Sequence, residues 1–242
     1  MESIHSGDMD LPSTLLAAGL VGLGYVSGSI PFGVILARLS GRRDPRSVGS
    51  GRTGGTNAIR ALGWGGGVAV GLLDIAKGAF PVLVARMVAS GPLPGDGSLV
   101  GAVPLVGGAP LLGAAPFVEA LTGIAAVVGA HRSVFLRFHG GRGLAAGIGA
   151  MLVLDWRVVA VAAPVFLGVI AITRYVSLGS LLGTAAGMLA LVLFVVAGGT
   201  EPVFLLYGLA GGLVIWLAHA DNIERLLNGT ERRFTISQDD GA

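Results

Sequence analysis

The sequence contains no cysteine. That excludes a disulfide scaffold, a thiolate nucleophile and a cysteine-ligated metal. Histidine is scarce: four residues, far apart, argue against a His-rich metal cluster, and the reading carries neither metal nor cofactor. Charge is also in short supply. Asp, Glu, Lys and Arg make up 12% of the 242 residues, about half the share of a soluble globular chain. The net charge of +2 gives no footing to nucleic acid as a partner. No basic stretch precedes the first apolar run. Residues 1–10 hold three acids and no Lys or Arg, so an uncleaved acidic tail is expected there rather than a signal peptide.

What fills the chain instead is apolar. The AVILMFWYC set supplies 53%, glycine adds 42 residues, and mean hydropathy is +0.80. Water cannot be the only solvent for such a composition. A bilayer core about 30 Å thick takes about 20 apolar residues per helix. The apolar runs are long and unbroken rather than alternating, which favours helices over a barrel. The expected fold is therefore all-α, a polytopic membrane bundle of seven spans, near 14–39, 64–89, 99–129, 143–155, 157–173, 178–198 and 203–219. Asp155-Trp156-Arg157 reads as a tight polar turn between the fourth and fifth. The 91–98 segment, GPLPGDGS, reads as a loop. The spacing of Gly24 and Gly28 suits close helix packing.

Basic residues set the orientation. With Arg38 at the end of the first span, the 40–63 loop, the 131–142 loop, the 174–177 turn and the C-terminal tail on one side, thirteen of the sixteen Lys and Arg fall there. Arg86 and Arg157 fall on the other side, and Lys77 lies within a span. The basic side is expected to face the cytoplasm, with the N-terminus outside and the C-terminus inside. Residues 1–13 then form an extracytoplasmic tail, 14–234 a single membrane domain and 235–242 a cytoplasmic tail.

Four cytoplasmic stretches gather the unusual residues. In 45–63, PRSVGSGRTGGTNAIRALG, five glycines interleave with Ser, Thr, Asn and Arg. Glycine lets successive N–H groups turn toward an anion. A helix starting near Thr56 would add its positive end and place Arg60 one turn in, able to fork onto a phosphate. The same residues also fit a flexible Gly/Ser loop. In 137–143, RFHGGRG, glycine and arginine again precede a helix start; His139 alone reads as an interfacial polar residue. In 173–180, TRYVSLGS, Ser177 and Ser180 read foremost as caps of the sixth span, with ligand binding the alternative. In 219–231, HADNIERLLNGTE, His219 and Asn222 are i, i+3 and share a face if the helix continues. Glu231 is expected to tie to a cytoplasmic Arg. Within the second span, Asp74 and Lys77 are i, i+3. Each costs roughly 2.5–3.5 kcal/mol at membrane depth, offset by mutual pairing or by lining a polar cavity.

Taken in order, these stretches resemble the acyl-phosphate:glycerol-3-phosphate acyltransferase family, PlsY. The carriers are GSIPFGVILAR with GSGRTGGTNAIRALG, GLLDIAKGAFPVLVAR, VFLRFHGGRG, RYVSLGS and HADNIERLLNGTE. The resemblance implies an enzyme that moves a fatty acyl group from acyl phosphate to the sn-1 hydroxyl of glycerol 3-phosphate, giving lysophosphatidic acid and phosphate. It implies catalytic roles for Ser50, Arg60, His219 and Asn222. It implies substrate binding by Gly51, Thr56, Asn57, Gly140, Gly141, Arg142, Gly143 and Ser177, and structural roles for Asp74, Lys77 and Glu231. The implied partners are acyl phosphate, glycerol 3-phosphate, membrane lipid and the enzyme that produces acyl phosphate. The implied site faces the cytoplasm from a bacterial inner membrane. Three departures stand out. Arg52 occupies a usual Asn position, Arg142 a usual Lys position, and His131 falls one residue late, followed by Arg132 and Ser133 in place of an apolar-Pro pair.

Two other functions compete. An organic-phosphate or anion transporter would use broken helices at the midplane and internal repeats, whereas this chain gathers its polar groups on one side. A family member without catalysis, binding lipid alone, draws on the three departures. The His5 and Asp10 spacing resembles that of another acyltransferase type but falls in the acidic tail.

Overall fold

The computed structural model describes residues 11–89 and 114–234, and among these every regular element is helical. The first ten tail residues with His5 and Asp10, the 91–98 loop, the start of the third predicted span and the 235–242 tail lie outside the described residues. The helices are α1 (Leu11–Ser29), α2 (Phe32–Leu39), α3 (Gly55–Ala89), α4 (Ala114–His131), α5 (Leu144–Thr173), α6 (Val176–Val196), α7 (Phe204–Ala218) and α8 (Ala220–Leu227). Four are long and apolar enough to cross a bilayer. Two bent pairs, α1 with α2 (45°) and α7 with α8 (58°), bring the count to as many as six.

The bends shape the molecule. Pro31 has no N–H to donate, so the first predicted span breaks there instead of running straight to residue 39. Lys77 Nζ donates to the Ile30 carbonyl at this break (2.9 Å), and Ser27 Oγ donates to the Lys77 carbonyl (2.7 Å). Lys77 also pairs with Asp74 at 2.7 Å. A charge that would be costly in the membrane thereby stitches α3 to the α1–α2 corner.

Within α3 the chain turns at Gly63, whose φ of 77° favours glycine. The turn separates a short helix, Gly55–Leu62, from the long arm that begins at Trp64, where the second span is expected. Within α5 it turns at Asp155, which is extended (φ −155°, ψ 100°). The Asp155 carboxylate accepts from Arg157 N (3.0 Å), Arg157 Nε (2.9 Å) and Thr200 Oγ1 (2.5 Å). The two arms of α5 double back on each other. Leu144 and Phe166 line one cavity, although a straight helix would hold them about 33 Å apart. The polar turn expected at 155–157 is present.

Close helix contact explains much of the glycine content. A Cβ on Gly24 or Gly28 of α1 would collide with the Thr122 or Ala126 carbonyl of α4. Gly78 of α3 meets Ala146, and Gly149 meets Ile75, so α3 and the first arm of α5 interlock reciprocally. Backbones this close are the means by which helices associate where lipid supplies no hydrophobic drive. The core between them is Val82, Val127, Met151, Leu191, Phe204 and Tyr207, with smaller residues filling in. Outward rows, among them Leu72, Phe80, Leu167, Leu189 and Leu213, stay exposed for lipid.

Candidate active site

One cavity of about 320 Å³ takes residues from all four of the stretches singled out by sequence. Ser50, Thr56, Asn57 and Arg60 come from the first, Gly141, Arg142 and Gly143 from the second, Ser177 from the third, and His219, Asn222 and Glu231 from the fourth. Asp74 and Lys77 line it too, so they both pair and face the site. Gly51 and Gly140 are not among the lining residues. Gly51 is exposed in the turn closed by its N–H to Val48 O (3.1 Å). Gly140 is buried against the end of α4, its N–H donating to His131 O (3.0 Å). They shape their loops rather than face a substrate.

Helix starts dominate the walls. The first residues of α3, α5 and α6, and His219 at the head of α8, all line the cavity. The Gly54 carbonyl takes both Asn57 N and Ala58 N (3.0 Å each), so the N–H groups of Gly55 and Thr56 have no partner within the helix. Gly143, at φ 81°, turns the second loop into α5. The positive starts of α3, α5 and α6 therefore border one volume, each favouring negative charge by a few tenths to about 1 kcal/mol, while at His219 the start of α8 coincides with the end of α7.

Asn57, 3% exposed, organises the first loop. Its Nδ2 donates to Ser50 Oγ (3.1 Å) and to the Arg52 carbonyl (2.9 Å). Its Oδ1 accepts from Arg60 Nη1 (3.2 Å). Arg60 makes no ion pair among the described residues and has donors left over.

The second loop is pinned to α4 by Gly141 N to Ala130 O (2.9 Å) and by His131 Nδ1 to Gly141 O (3.0 Å). The displaced His131 thus holds the loop from behind. His139 instead contacts its neighbour's carbonyl, Arg137 O (2.7 Å), and stays exposed outside the cavity.

The sixth span starts without a side-chain cap. Ser177 Oγ donates to Glu231 Oε1 (2.8 Å), and Ser180 Oγ back-bonds to Val176 O (2.9 Å), so the capping expectation fails. Packing of the C-terminal segment against α6 draws Ser177 away from the backbone. Glu231 is the hub. It also accepts from Asn222 Nδ2 (2.7 Å) and Arg225 Nε (2.8 Å). Burial works against its charge, but Arg225, Ser177 and Asn222 outweigh burial and hold the carboxyl below its usual range. A depressed carboxylate contributes stability that is present above its unfolded pKa and lost as pH falls through the folded value. The thermal midpoint in detergent should hold from neutral pH to about 5 and fall below about 4.5. Glu231→Gln should start lower and show a weaker acid decline, as melting curves across that range will register.

The helix expected to continue through His219 bends there instead (φ −102°, ψ 9°). His219 and Asn222 still reach the cavity, 2% and 3% exposed. His219 Nδ1 lies 2.8 Å from Ile215 O. A carbonyl can only accept, so Nδ1 carries the proton, and Nε2 of the neutral ring keeps its lone pair. Asn222 Oδ1 and Arg142 Nε are buried without partners among the described residues. An unmade buried hydrogen bond is costly, so an acceptor and a donor stand ready for a ligand.

Arg225, Arg232 and Phe234 also line the cavity, although sequence reasoning assigned the two arginines only a topological part. The signal for Arg225 was its i, i+3 spacing from Asn222. Phe234 closes one wall through its N–H to Arg174 O (2.7 Å) and an edge-on contact with Trp64. Beside the cavity, an apolar groove of about 130 Å³ runs between α5, α6 and α7 and shares Leu144, Phe166 and Ser180 with it. Arg86 and Arg157 sit together in a separate cleft, with none of the cavity's residues.

A family model described as glycerol-3-phosphate acyltransferase matches residues 18–229. A glycerol-3-phosphate acyltransferase of Thermus thermophilus is 41% identical over 212 residues, covering 87% of this chain and 92% of that protein. That of Anaeromyxobacter sp. is 42% identical over 228 residues, covering 93% and 100%. The crystal structure of PlsY, an integral membrane glycerol 3-phosphate acyltransferase, in its glycerol 3-phosphate form has a TM-score of 0.73 to this chain at 35% identity, covering 91% and 96%. Its lysophosphatidic acid form gives 0.71 at 32% identity, with the same coverage. Family model, relatives and fold agree over nearly the whole length, and this chain belongs to the glycerol-3-phosphate acyltransferase family of PlsY type, whose members are integral membrane enzymes.

Proposed function

We propose that this chain transfers a fatty acyl group from acyl phosphate to the sn-1 hydroxyl of glycerol 3-phosphate, releasing lysophosphatidic acid and inorganic phosphate. The observation that carries the reading is the meeting of unpaired cations, three helix starts, a bare His219 Nε2 and an unpartnered Asn222 Oδ1 around one cavity that adjoins an apolar groove. Two phosphate-bearing substrates need such a positive volume. The fatty chain needs the groove, lined by Gly147, Gly183, Gly187, Gly208, Gly211 and Gly212.

Arg60 and the first turn of α3 hold the phosphate of glycerol 3-phosphate, with Ser50 and Thr56 beside them. Asn222 Oδ1 accepts a hydrogen bond from the substrate, and His219 Nε2 takes the sn-1 proton as the oxygen attacks the acyl carbon. The C–O bond to phosphate breaks, and the departing anion stays against Gly141, Arg142 and Gly143 and the start of α5. Acyl phosphate is a mixed anhydride, already activated, so no enzyme nucleophile is required. Orientation and charge stabilisation supply the rate. Ser177 acts through Glu231 rather than on substrate.

Counting the two arms of α5 separately gives seven spans, with the N-terminus outside and the C-terminus inside. The cavity then faces the cytoplasm of a bacterial inner membrane, where the enzyme that makes acyl phosphate works. The placement is supported by the arginines, which crowd the cavity end while only Arg86 and Arg157 occupy the other cleft. The test is direct. Purified chain in detergent should release phosphate stoichiometrically with lysophosphatidic acid when given acyl phosphate and glycerol 3-phosphate. Phosphate release without glycerol 3-phosphate would mean hydrolysis. No turnover, with glycerol 3-phosphate uptake into proteoliposomes, would mean transport.

A further inference from the structure

The two glycine-bearing loops touch inside the cavity. A Cβ on Gly141 would stand 3.3 Å from Thr53 Oγ1 and 3.9 Å from Gly54 N. Each loop carries an arginine beside that contact, Arg52 just before Thr53 and Arg142 just after Gly141, and both line the cavity. Their counter-charge is thin. Arg142 Nη2 reaches one carboxylate oxygen, Asp221 Oδ2 at 3.2 Å, and Arg225 Nη2 shares that oxygen at 3.0 Å. Arg52 makes no ion pair among the described residues, and Arg142 Nε is buried unpartnered. Burial pulls the Arg142 guanidinium below its ordinary value; Asp221 opposes this, while the charges of Arg52 and Arg225 deepen it. Arg225 has Glu231 as a second partner, so Arg52 and Arg142 are left with only a share of the Asp221 carboxylate between them among the described residues. A phosphate dianion would relieve that excess.

We propose that Arg52 binds phosphate, closing with Arg142 on the phosphate that leaves the acyl donor. The assignment rests on the acyl-transfer reading above and adds a residue to it. Arg52 serves the leaving phosphate rather than glycerol 3-phosphate because of the groups its charge reaches. Asn57 Oδ1 ties the Arg60 guanidinium, whereas Asn57 Nδ2 reaches only the Arg52 backbone carbonyl and leaves the Arg52 guanidinium without a tie to that amide. The Arg52 charge is felt at Arg142, His131 and Asp221, the residues of the second loop and its supports. Charge grows on the phosphate oxygens as the anhydride breaks, so Arg52 holds the transition state as well as the product.

The experiment uses the full chain in detergent, with Arg52→Asn and Arg52→Lys. Inorganic phosphate serves as a product inhibitor against acyl phosphate. In Arg52→Asn the phosphate inhibition constant and the KM for acyl phosphate should each rise about ten-fold, the worth of one charge-assisted hydrogen bond. The KM for glycerol 3-phosphate should move less than about two-fold, and Arg52→Lys should recover part of the loss. Unchanged phosphate inhibition in Arg52→Asn would overturn the assignment. So would a rise confined to the KM for glycerol 3-phosphate. Calorimetric titration of inorganic phosphate into wild type and Arg52→Asn reads the same site without turnover. If the wild type fails to transfer acyl groups, the acyl-transfer reading falls, and the titration still decides whether Arg52 binds phosphate.

Discussion

Arg60→Ala lowers kcat/KM for glycerol 3-phosphate by about 30–300-fold while the protein stays folded. Truncating one partner of a hydrogen-bonded charge pair away from water costs about 2–5 kcal/mol, and each 1.4 kcal/mol is tenfold. Arg60 is only partly buried, which argues for the lower half of that range. The fold should survive because, among the described residues, no carboxylate pairs with Arg60 and its side chain makes one hydrogen bond, to Asn57 Oδ1 at 3.2 Å. Asn57 keeps its donors on Ser50 and on the Arg52 carbonyl, so the loop retains its ties. The thermal midpoint should therefore stay within a few degrees of wild type. Arg60→Lys keeps the charge but loses the planar fork, and should recover about tenfold of the loss. Steady-state kinetics in both substrates, with a melting curve for each variant, checks the set. Full activity in Arg60→Ala would remove Arg60 from the site, whatever its position.

The candidate site was legible in the sequence to the extent that it rests on residue type at short range. The glycine-bearing stretches that hold Arg60 and Arg142 come to one cavity, and Gly54 and Gly143 fall where those stretches enter helices. His219 and Asn222 were legible as neighbours, because three residues along a helix is one face. The apolar runs announced the helices, and the polar triplet at 155–157 announced the turn in α5.

What stayed hidden depends on partners distant in the chain. Ser177 at the start of a helix reads as a cap, because nothing local reveals that Glu231, far downstream, returns to take its hydroxyl. Asp74 and Lys77 read as a mutual pair or as residues lining a cavity, and nothing local reveals the third member, the Ile30 carbonyl at the corner between α1 and α2. Asp221 and Arg225 look like one more exposed i, i+4 pair. Only the meeting of α8 with the second loop brings the Asp221 carboxylate onto Arg142, its one carboxylate partner among the described residues. The bend at His219 was invisible for a similar reason. The sequence runs on through helix-forming residues, and the break appears only when α8 turns across the end of the bundle.

His219→Ala and His219→Gln should both lose about 10²–10³-fold in kcat, and the similarity of the two losses is the informative part. General-base catalysis contributes about 10²–10⁴. The ring is set for it: Nδ1 donates to the Ile215 carbonyl at 2.8 Å, which fixes the tautomer and leaves Nε2 bare toward the cavity. Glutamine can place an amide near the Nε2 position and hold a substrate hydroxyl, but it cannot take a proton at neutral pH. If His219 only orients the hydroxyl, glutamine should restore activity to within about tenfold of wild type. In that case the proton goes to a phosphate oxygen of the acyl donor. If His219 is the base, glutamine should be as slow as alanine while the KM for glycerol 3-phosphate stays near wild type, because Arg60 and the start of α3 still hold the substrate's phosphate. Pre-steady-state phosphate release checks that the loss lies at the attack step, since such a loss slows the first turnover as much as the later ones. A burst of phosphate at the wild-type rate in His219→Gln would place its effect after acyl transfer and end its assignment as the base.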